Sequence, residues 1–415
     1  MNASATLPVV AIVDRRFPCD HSFLEGAMEK RLPQLGAEIT WLMRSADACL
    51  NLRLTWWRSS RVMLLPSVGR LRRGRLLIEH LLFAAFAPAL LWRIARIRPR
   101  VIFVRNDPLY LLLAVAAAFI ARSAVVFQLS HLKEEDLLAR ARNITGMRAL
   151  MMRCKGRVAQ LLRNYLIART DQLLVISPSM QDVLALQVRR LPPTAVFPLG
   201  VDIGVEADMR DDLPPAVQFT RYAIYVGTLA ATRKPRMMVD ACRVVRSRFP
   251  DFGLVLVGGG GEPAAREQLR SYVRDVGASS FVQFIPDVPR ATLPPLIRRA
   301  VCGLCVVPAE GVNRTISPTK LMEYLQFECP VVAARGIPEQ DEIVEASRGG
   351  SLVAFDADAI ACAISRFLDE PELRAAMGVA GRRYIEQFRD YSIFARRLFD
   401  ILAQLRRPSK EATGD

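Results

Sequence analysis

Between Ala309 and Val332 the chain reads AEGVNRTISPTKLMEYLQFECPVV, directly after the apolar run CGLCVVP. Ser317 is a helix-capping residue type and Pro318 suits a first helical turn, so a helix is predicted to begin here, after a strand and a loop. Such a helix start favours anions through its unpaired N–H groups and its dipole, and Lys320 adds a full charge one turn in. Three more loops in this half follow strand-like runs. After YAIYVG come Arg233 and Lys234, after GLVLVGG the glycines Gly258 to Gly261, and after FVQFI the stretch PDVPRATL. Loops that follow successive parallel strands share one edge. Basic side chains, a glycine turn and a helix start on one edge make a site for a diphosphate. Each element alone is as common in a tight turn or on a solvated surface; their order is what carries information.

Bringing those loops together requires a parallel sheet. Short β-rich runs alternate with helix-length segments: 9–14, 38–42, 101–105, 124–129, 172–176 and 195–199 in a first series, then 222–227, 253–259, 281–285, 302–307 and 330–334 in a second. The acidic, proline-containing stretch 201–218 divides the two series and reads as a linker. At 415 residues the chain exceeds what one core usually holds. The expectation is α/β, with two doubly wound Rossmann-like domains facing across a cleft. Their predicted bounds are 1–202 and 219–388, with a linker at 203–218 and a C-terminal helix within 389–407 packing back on the first.

The formal charge is +16 and uneven: residues 1–212 carry 30 Lys+Arg against 18 Asp+Glu, the rest 27 against 23. Seven arginines (Arg53, Arg58, Arg61, Arg70, Arg72, Arg73, Arg75) and the pair Trp56 and Trp57 lie between Asp47 and Glu79, ahead of an apolar helix at 76–97. Arg with Trp suits an anionic membrane face, and it equally suits a solvated basic loop. The same mix could grip a nucleic-acid backbone, but no nucleic-acid-binding motif accompanies it, so nucleic acid is not expected as a partner. The apolar runs 81–92 and 108–121 fall short of the roughly 20 residues a bilayer crossing needs, and the N-terminus lacks a signal-like pattern. A cytoplasmic protein, peripheral on the inner membrane face, is the resulting expectation. Cys302 and Cys305 sit inside an apolar run and read as buried structural residues, and Asp356 with Asp358 reads as a helix start, so no metal is expected.

The second half resembles the donor-binding domain of GT-B glycosyltransferases, specifically the retaining, nucleotide-sugar-dependent glycosyltransferase family 4. The likeness lies in YVGTL with the following RK, LVGGGGE, VQFIPDVPRATLPPLI and SPTKLMEYLQFECPVVAA, with PLGVD ahead of the linker. The first half resembles the acceptor domain through VDRRFPCDHSFLEGA, VIFVRNDPLYLLL and FQLSHLKEED. The resemblance implies Lys234, with Arg233, on the donor diphosphate and Glu323 on the ribose hydroxyls. It implies donor contacts from Gly227, Thr228, Gly259, Gly260, Asp287, Val288, Glu310 and the helix start Ser317, Pro318, Thr319 and Lys320. On the acceptor side it implies Asp20, and His131 turned toward the transferred sugar. The family commonly has two glutamates eight positions apart; counting back from Glu323 gives Thr315, so either Glu310 or Thr315 stands in for the first. Thr228 stands where an arginine is common. The implied activity moves a sugar from a nucleotide sugar, as substrate and without a cofactor, to a glycan or lipid-linked acceptor in cell-surface polysaccharide or glycolipid biosynthesis. A nucleotide- or sugar-binding regulatory protein on the same scaffold, or an inverting GT-B enzyme, are the alternatives.

Overall fold

The computed structural model describes residues 6–69, 75–204, 216–258 and 263–405. Gly259, Gly260, Arg70, Arg72, Arg73 and most of the predicted linker lie outside them. The described residues form two units, one from Met1–Pro198 with Tyr391–Asp415 and one from Leu199–Asp390.

The first unit is built on an eight-stranded sheet ordered Thr194–Val196, Gln172–Val175, Ala124–Leu129, Val101–Arg105, Leu7–Phe17, Ala37–Ser45, Ser60–Leu65 and Arg53–Trp57. Every neighbouring pair is parallel except the last, an antiparallel hairpin. That hairpin replaces the basic loop read from the sequence. Arginines hid it because an edge strand faces water on one side and needs no continuous apolar run. Trp57 is half-buried, meeting Phe17 edge-on and Trp41 at a tilt, whereas Trp56 is exposed beneath the Arg61 guanidinium.

The helix Arg75–Ile97 is longer than its apolar run suggested; among the described residues its segment Leu77–Ile97 is the one helix long and apolar enough to cross a membrane. Glu79 anchors it to the unit through ion pairs with Arg16 and Arg44, and Leu90 and Ile94 are buried. Helix Tyr391–Gln404 also belongs to this unit, its Tyr391 and Phe394 meeting Phe23 and Phe197 edge to face.

The second unit holds a six-stranded, wholly parallel sheet ordered Val282–Ile285, Phe252–Val257, Arg221–Val226, Cys302–Cys305, Val331–Ala334 and Gly350–Val353. Its four central strands are buried on both faces, as helix-covered parallel strands must be, and the edge strands Val282–Ile285 and Gly350–Val353 are partly exposed. Ala223 and Tyr225 point into a core shared with helices Arg236–Arg246, Pro263–Asp275 and Ala357–Asp369. Tyr222, Ile224 and Val226 point the other way, toward helices Leu293–Arg299, Thr319–Gln326 and Pro338–Ser347. Strand order reverses between Arg221–Val226 and Cys302–Cys305, and such a switch point opens a ligand crevice at the strand C-termini. Residues 199–202, read from the sequence as the end of the first domain, bond within this unit: the Val201 N–H donates to the Arg389 carbonyl, and Gln326 donates to that of Asp202.

Candidate functional site

Two loops flank the switch point of the second sheet. One follows Arg221–Val226 and carries Gly227, Thr228, Arg233 and Lys234; the other follows Cys302–Cys305 and carries Glu310, Thr315 and Ser317. The Lys234 ammonium donates to Glu310 Oε1 at 2.9 Å, and both side chains are exposed. Buried Asn313 joins the loops from beneath, its Nδ2 donating to the carbonyls of Thr232 and Pro308. Lys234 therefore reaches the switch point through a loop that Asn313 holds, with its own backbone at φ 47° in the left-handed region.

Of the two residues considered for the missing glutamate, Glu310 is the one that meets Lys234. Thr315 is buried and its hydroxyl donates to the Val312 carbonyl. The intervening residues Gly311–Thr315 form a single 3₁₀ segment that turns the chain back.

Glu323 is buried on helix Thr319–Gln326 and held by two cations: Lys320 donates to its Oε2 at 2.9 Å and Arg290 to its Oε1 at 3.3 Å. Arg290 was not singled out from the sequence, although it sits in the quoted stretch after Val282–Ile285. Its position in a loop at the strand C-terminal edge was the available signal. In the same loop Asp287 is exposed, and Val288 packs against the core beside helix Leu293–Arg299.

The helix start differs from the predicted cap. Pro318 is the N-cap, and the helix begins at Thr319, whose N–H bonds to the Ser317 carbonyl. The Ser317 hydroxyl does not cap: it accepts from the Leu199 N–H and donates to Glu339 Oε1. A buried carboxylate close by needed a donor, and that need outweighs the capping preference. Arg389 also donates to Glu339, yet Glu339 Oε2 is buried with no hydrogen-bond partner. Burial pushes this carboxyl up to about 7 against the pull of Arg389 and Ser317.

After strand Phe252–Val257, Gly258 has φ 119°, and a Cβ there would lie 2.6 Å from the Gly227 carbonyl oxygen. Only glycine allows this approach. The Tyr225 hydroxyl donates to the Thr228 carbonyl, fixing the turn after Gly227.

In the first unit, Asp20 and His131 follow strands Leu7–Phe17 and Ala124–Leu129, so both lie at that sheet's C-terminal edge; Asp20 is exposed and His131 half-buried. On the first of these strands is Asp14, paired with Lys133, and on Val101–Arg105 between them is Arg105, which is buried and donates from Nε to Gln128 Oε1. Burial brings the Arg105 guanidinium down to about 10. Neither Asp14 nor Arg105 was singled out from the sequence. Cys302 and Cys305 are buried in their strand, and burial pushes Cys302 up to about 12. Asp356 caps helix Ala357–Asp369 by accepting from the Ala359 N–H. Among the described residues no three His, Cys, Asp or Glu side chains gather where a metal could be held.

The arrangement of parallel sheets is that of GT-B glycosyltransferases. Sucrose-phosphate synthase from Thermosynechococcus elongatus superposes with a TM-score of 0.70 at 17% identity, over 96% of this chain and 99% of that one. Anabaena HepE, solved with UDP and glucose, does so at 0.69 and 16% identity, over 95% and 99%. Residues 215–384, all within the second unit, match the family described as glycosyl transferases group 1. The chain is 28% identical over 180 residues to a GDP-mannose-dependent α-(1-6)-phosphatidylinositol monomannoside mannosyltransferase of Mycolicibacterium smegmatis. That match spans 42% of this chain and less than half, 46%, of the relative's own length.

Proposed function

We propose that the protein transfers a hexosyl group from a nucleotide-sugar donor to a glycan or lipid-linked acceptor, with retention, in polysaccharide or glycolipid assembly at an anionic inner membrane face. The observation that carries this reading is the charge arrangement at the switch point of the second sheet. There Lys234, Arg290 and Lys320 outnumber the carboxylates Glu310 and Glu323. Cleaving a sugar–phosphate bond leaves positive character on the anomeric carbon and adds charge to the departing nucleoside diphosphate. Fixed cations at the leaving group are the largest help a protein gives to such a step. Lys234 is exposed and can exchange Glu310 for a phosphate oxygen. Glu323, oriented by Lys320 and Arg290, is placed to accept from the two ribose hydroxyls. His131 and Asp20 would face the sugar and the acceptor.

These side chains supply the positive potential that a metal supplies elsewhere, so turnover is expected to persist in excess chelator. The excess positive charge of the first half, and the lipid in the mycolicibacterial relative's name, support a lipid-linked acceptor. A panel of nucleotide sugars including GDP-mannose and UDP-glucose, screened for hydrolysis and for protection against thermal unfolding, tests the reading. A donor that binds the native state raises the melting temperature. No protection and no turnover with any donor would reject it.

A further inference from the structure

Helix Gly146–Ile167 in the first unit is built inside out. Its buried face is small and polar: Ala149, Gly156, Gln160 and Arg163, with Leu166 and Ile167 only at the end. Arg163 is fully buried and donates to both Glu134 and Glu135 of helix Lys133–Arg140, and Gln160 donates to Glu135. This pairing overcomes the upward push of burial on Glu135 and holds that carboxyl down at about 2.

The outward face is apolar. Met147, Met151, Cys154, Val158, Leu161 and Tyr165 recur at alternating steps of four and three, which places them on one stripe of the helix. All six are exposed, the five other than the cysteine by 58–69%. The neighbouring helix Pro108–Ala121 packs against this one and adds exposed Phe119 and Ile120. A contiguous apolar surface of this kind on a folded protein marks something that covers it.

The charges identify what. Arg148, Arg153, Lys155 and Arg157 are exposed on the same helix, which contains no acidic residue. A second copy paired through this stripe would bring like charges together with nothing to answer them. An apolar stripe flanked by basic side chains alone is what an anionic bilayer surface accepts.

We infer that helix Gly146–Ile167 lies in the headgroup region of an anionic membrane, its apolar stripe inserted and its basic side chains on lipid phosphates. This rests on the membrane reading above and deepens it by naming the surface, which is not the Arg- and Trp-containing hairpin at 53–65. The full chain is floated with vesicles of phosphatidylcholine alone and of phosphatidylcholine with phosphatidylglycerol. Three proteins are compared: wild type, Met151→Glu/Val158→Glu/Leu161→Glu, and Arg53→Glu/Trp56→Glu/Arg61→Glu. Unfolding curves confirm that each is folded, and donor protection is measured on the same preparations.

The expected result is that wild type and the hairpin variant float with anionic vesicles, that the helix variant loses binding by about tenfold or more, and that donor protection is the same in all three. Flotation of the helix variant like wild type overturns the inference; if the hairpin variant alone is lost, the membrane reading survives on another surface. Wild type failing to float overturns both, while donor protection still judges the transferase reading separately. A dimer in sedimentation that only the helix variant abolishes, without lipid binding, assigns the stripe to a second copy and overturns the inference.

Discussion

Lys234 has a backbone conformation that costs a non-glycine residue about 1 kcal/mol, and its ammonium is spent on an exposed carboxylate where it contributes little to stability. Six other non-glycine residues among those described share this conformation, so the backbone alone assigns Lys234 no role. Replacing it with glycine separates the two effects. Lys234→Gly should melt no lower than wild type, because the strain is relieved, while donor turnover falls by 10²–10³, about 3–4 kcal/mol of leaving-group stabilisation. Wild-type turnover in the folded variant would remove Lys234 from the donor site. Glu323 is the converse case, a buried carboxylate held by two cations. Glu323→Ala should abolish most turnover, and Arg290→Ala, which leaves Lys320 in place, should raise the donor Kd by about tenfold, roughly 1.4 kcal/mol, with a smaller effect on kcat. Equilibrium binding alongside kinetics distinguishes these outcomes. Glu323 was legible because it lies four residues beyond Thr319 in a recognisable stretch. Arg290 was not, because its partner is 33 residues away.

Helix Thr319–Gln326 is short, and packing rather than propensity positions it. Tyr324 lies over Gly303, where any Cβ would meet its ring at 2.2 Å, and its hydroxyl accepts from the Val226 N–H at 2.7 Å. The helix is thereby registered against both strands of the switch point. Behind its start, Glu339 in the first turn of Pro338–Ser347 grips Ser317. The free carboxyl ionises near 4.5 and the folded one near 7. Between those values the unfolded chain has already released a proton that the folded protein keeps. Stability from this group is therefore greatest below about pH 4.5, falls as pH rises to about 7, and is level beyond, by about 3 kcal/mol if the displacement is fully expressed. Denaturant titrations at both ends of that window should show the decline in wild type and its absence in Glu339→Gln. An equal pH dependence in both proteins would place the titration elsewhere.

The two units are not two halves of the sequence. Tyr391–Gln404 returns to the first unit, where Tyr391, Phe394, Leu398 and Leu402 are buried and Arg100 donates to the carbonyls of Ala403 and Leu405. Burying four such side chains contributes roughly 6–12 kcal/mol, comparable to the whole stability of a typical domain, about 5–15 kcal/mol. A chain ending at Asp390 should therefore lose the first unit while the second stays folded. Limited proteolysis with mass mapping should find early cleavage spread through 1–198 and protection of 216–390. Protection of both regions would mean that the first core closes without the helix.

The order of elements was legible from the sequence alone. All eleven strands read from apolar runs are present within a few residues of their predicted ends, most of them because burial on both faces leaves an unbroken run; the half-buried edge strand Gly350–Val353 was not read. So were the loops bearing Lys234, Glu310 and Glu323, since they follow those strands. Three things were decided only by tertiary structure. The hairpin Arg53–Trp57 with Ser60–Leu65 is held by its neighbour, not by its own composition. The pairings Lys234 with Glu310 and Arg290 with Glu323 join residues 76 and 33 positions apart, and only the sheet order brings them together. The facing of helix Gly146–Ile167 was likewise hidden. Helical spacing shows that a helix has two faces, but which one is buried depends on what lies beneath it, and here that is a pair of glutamates waiting for an arginine.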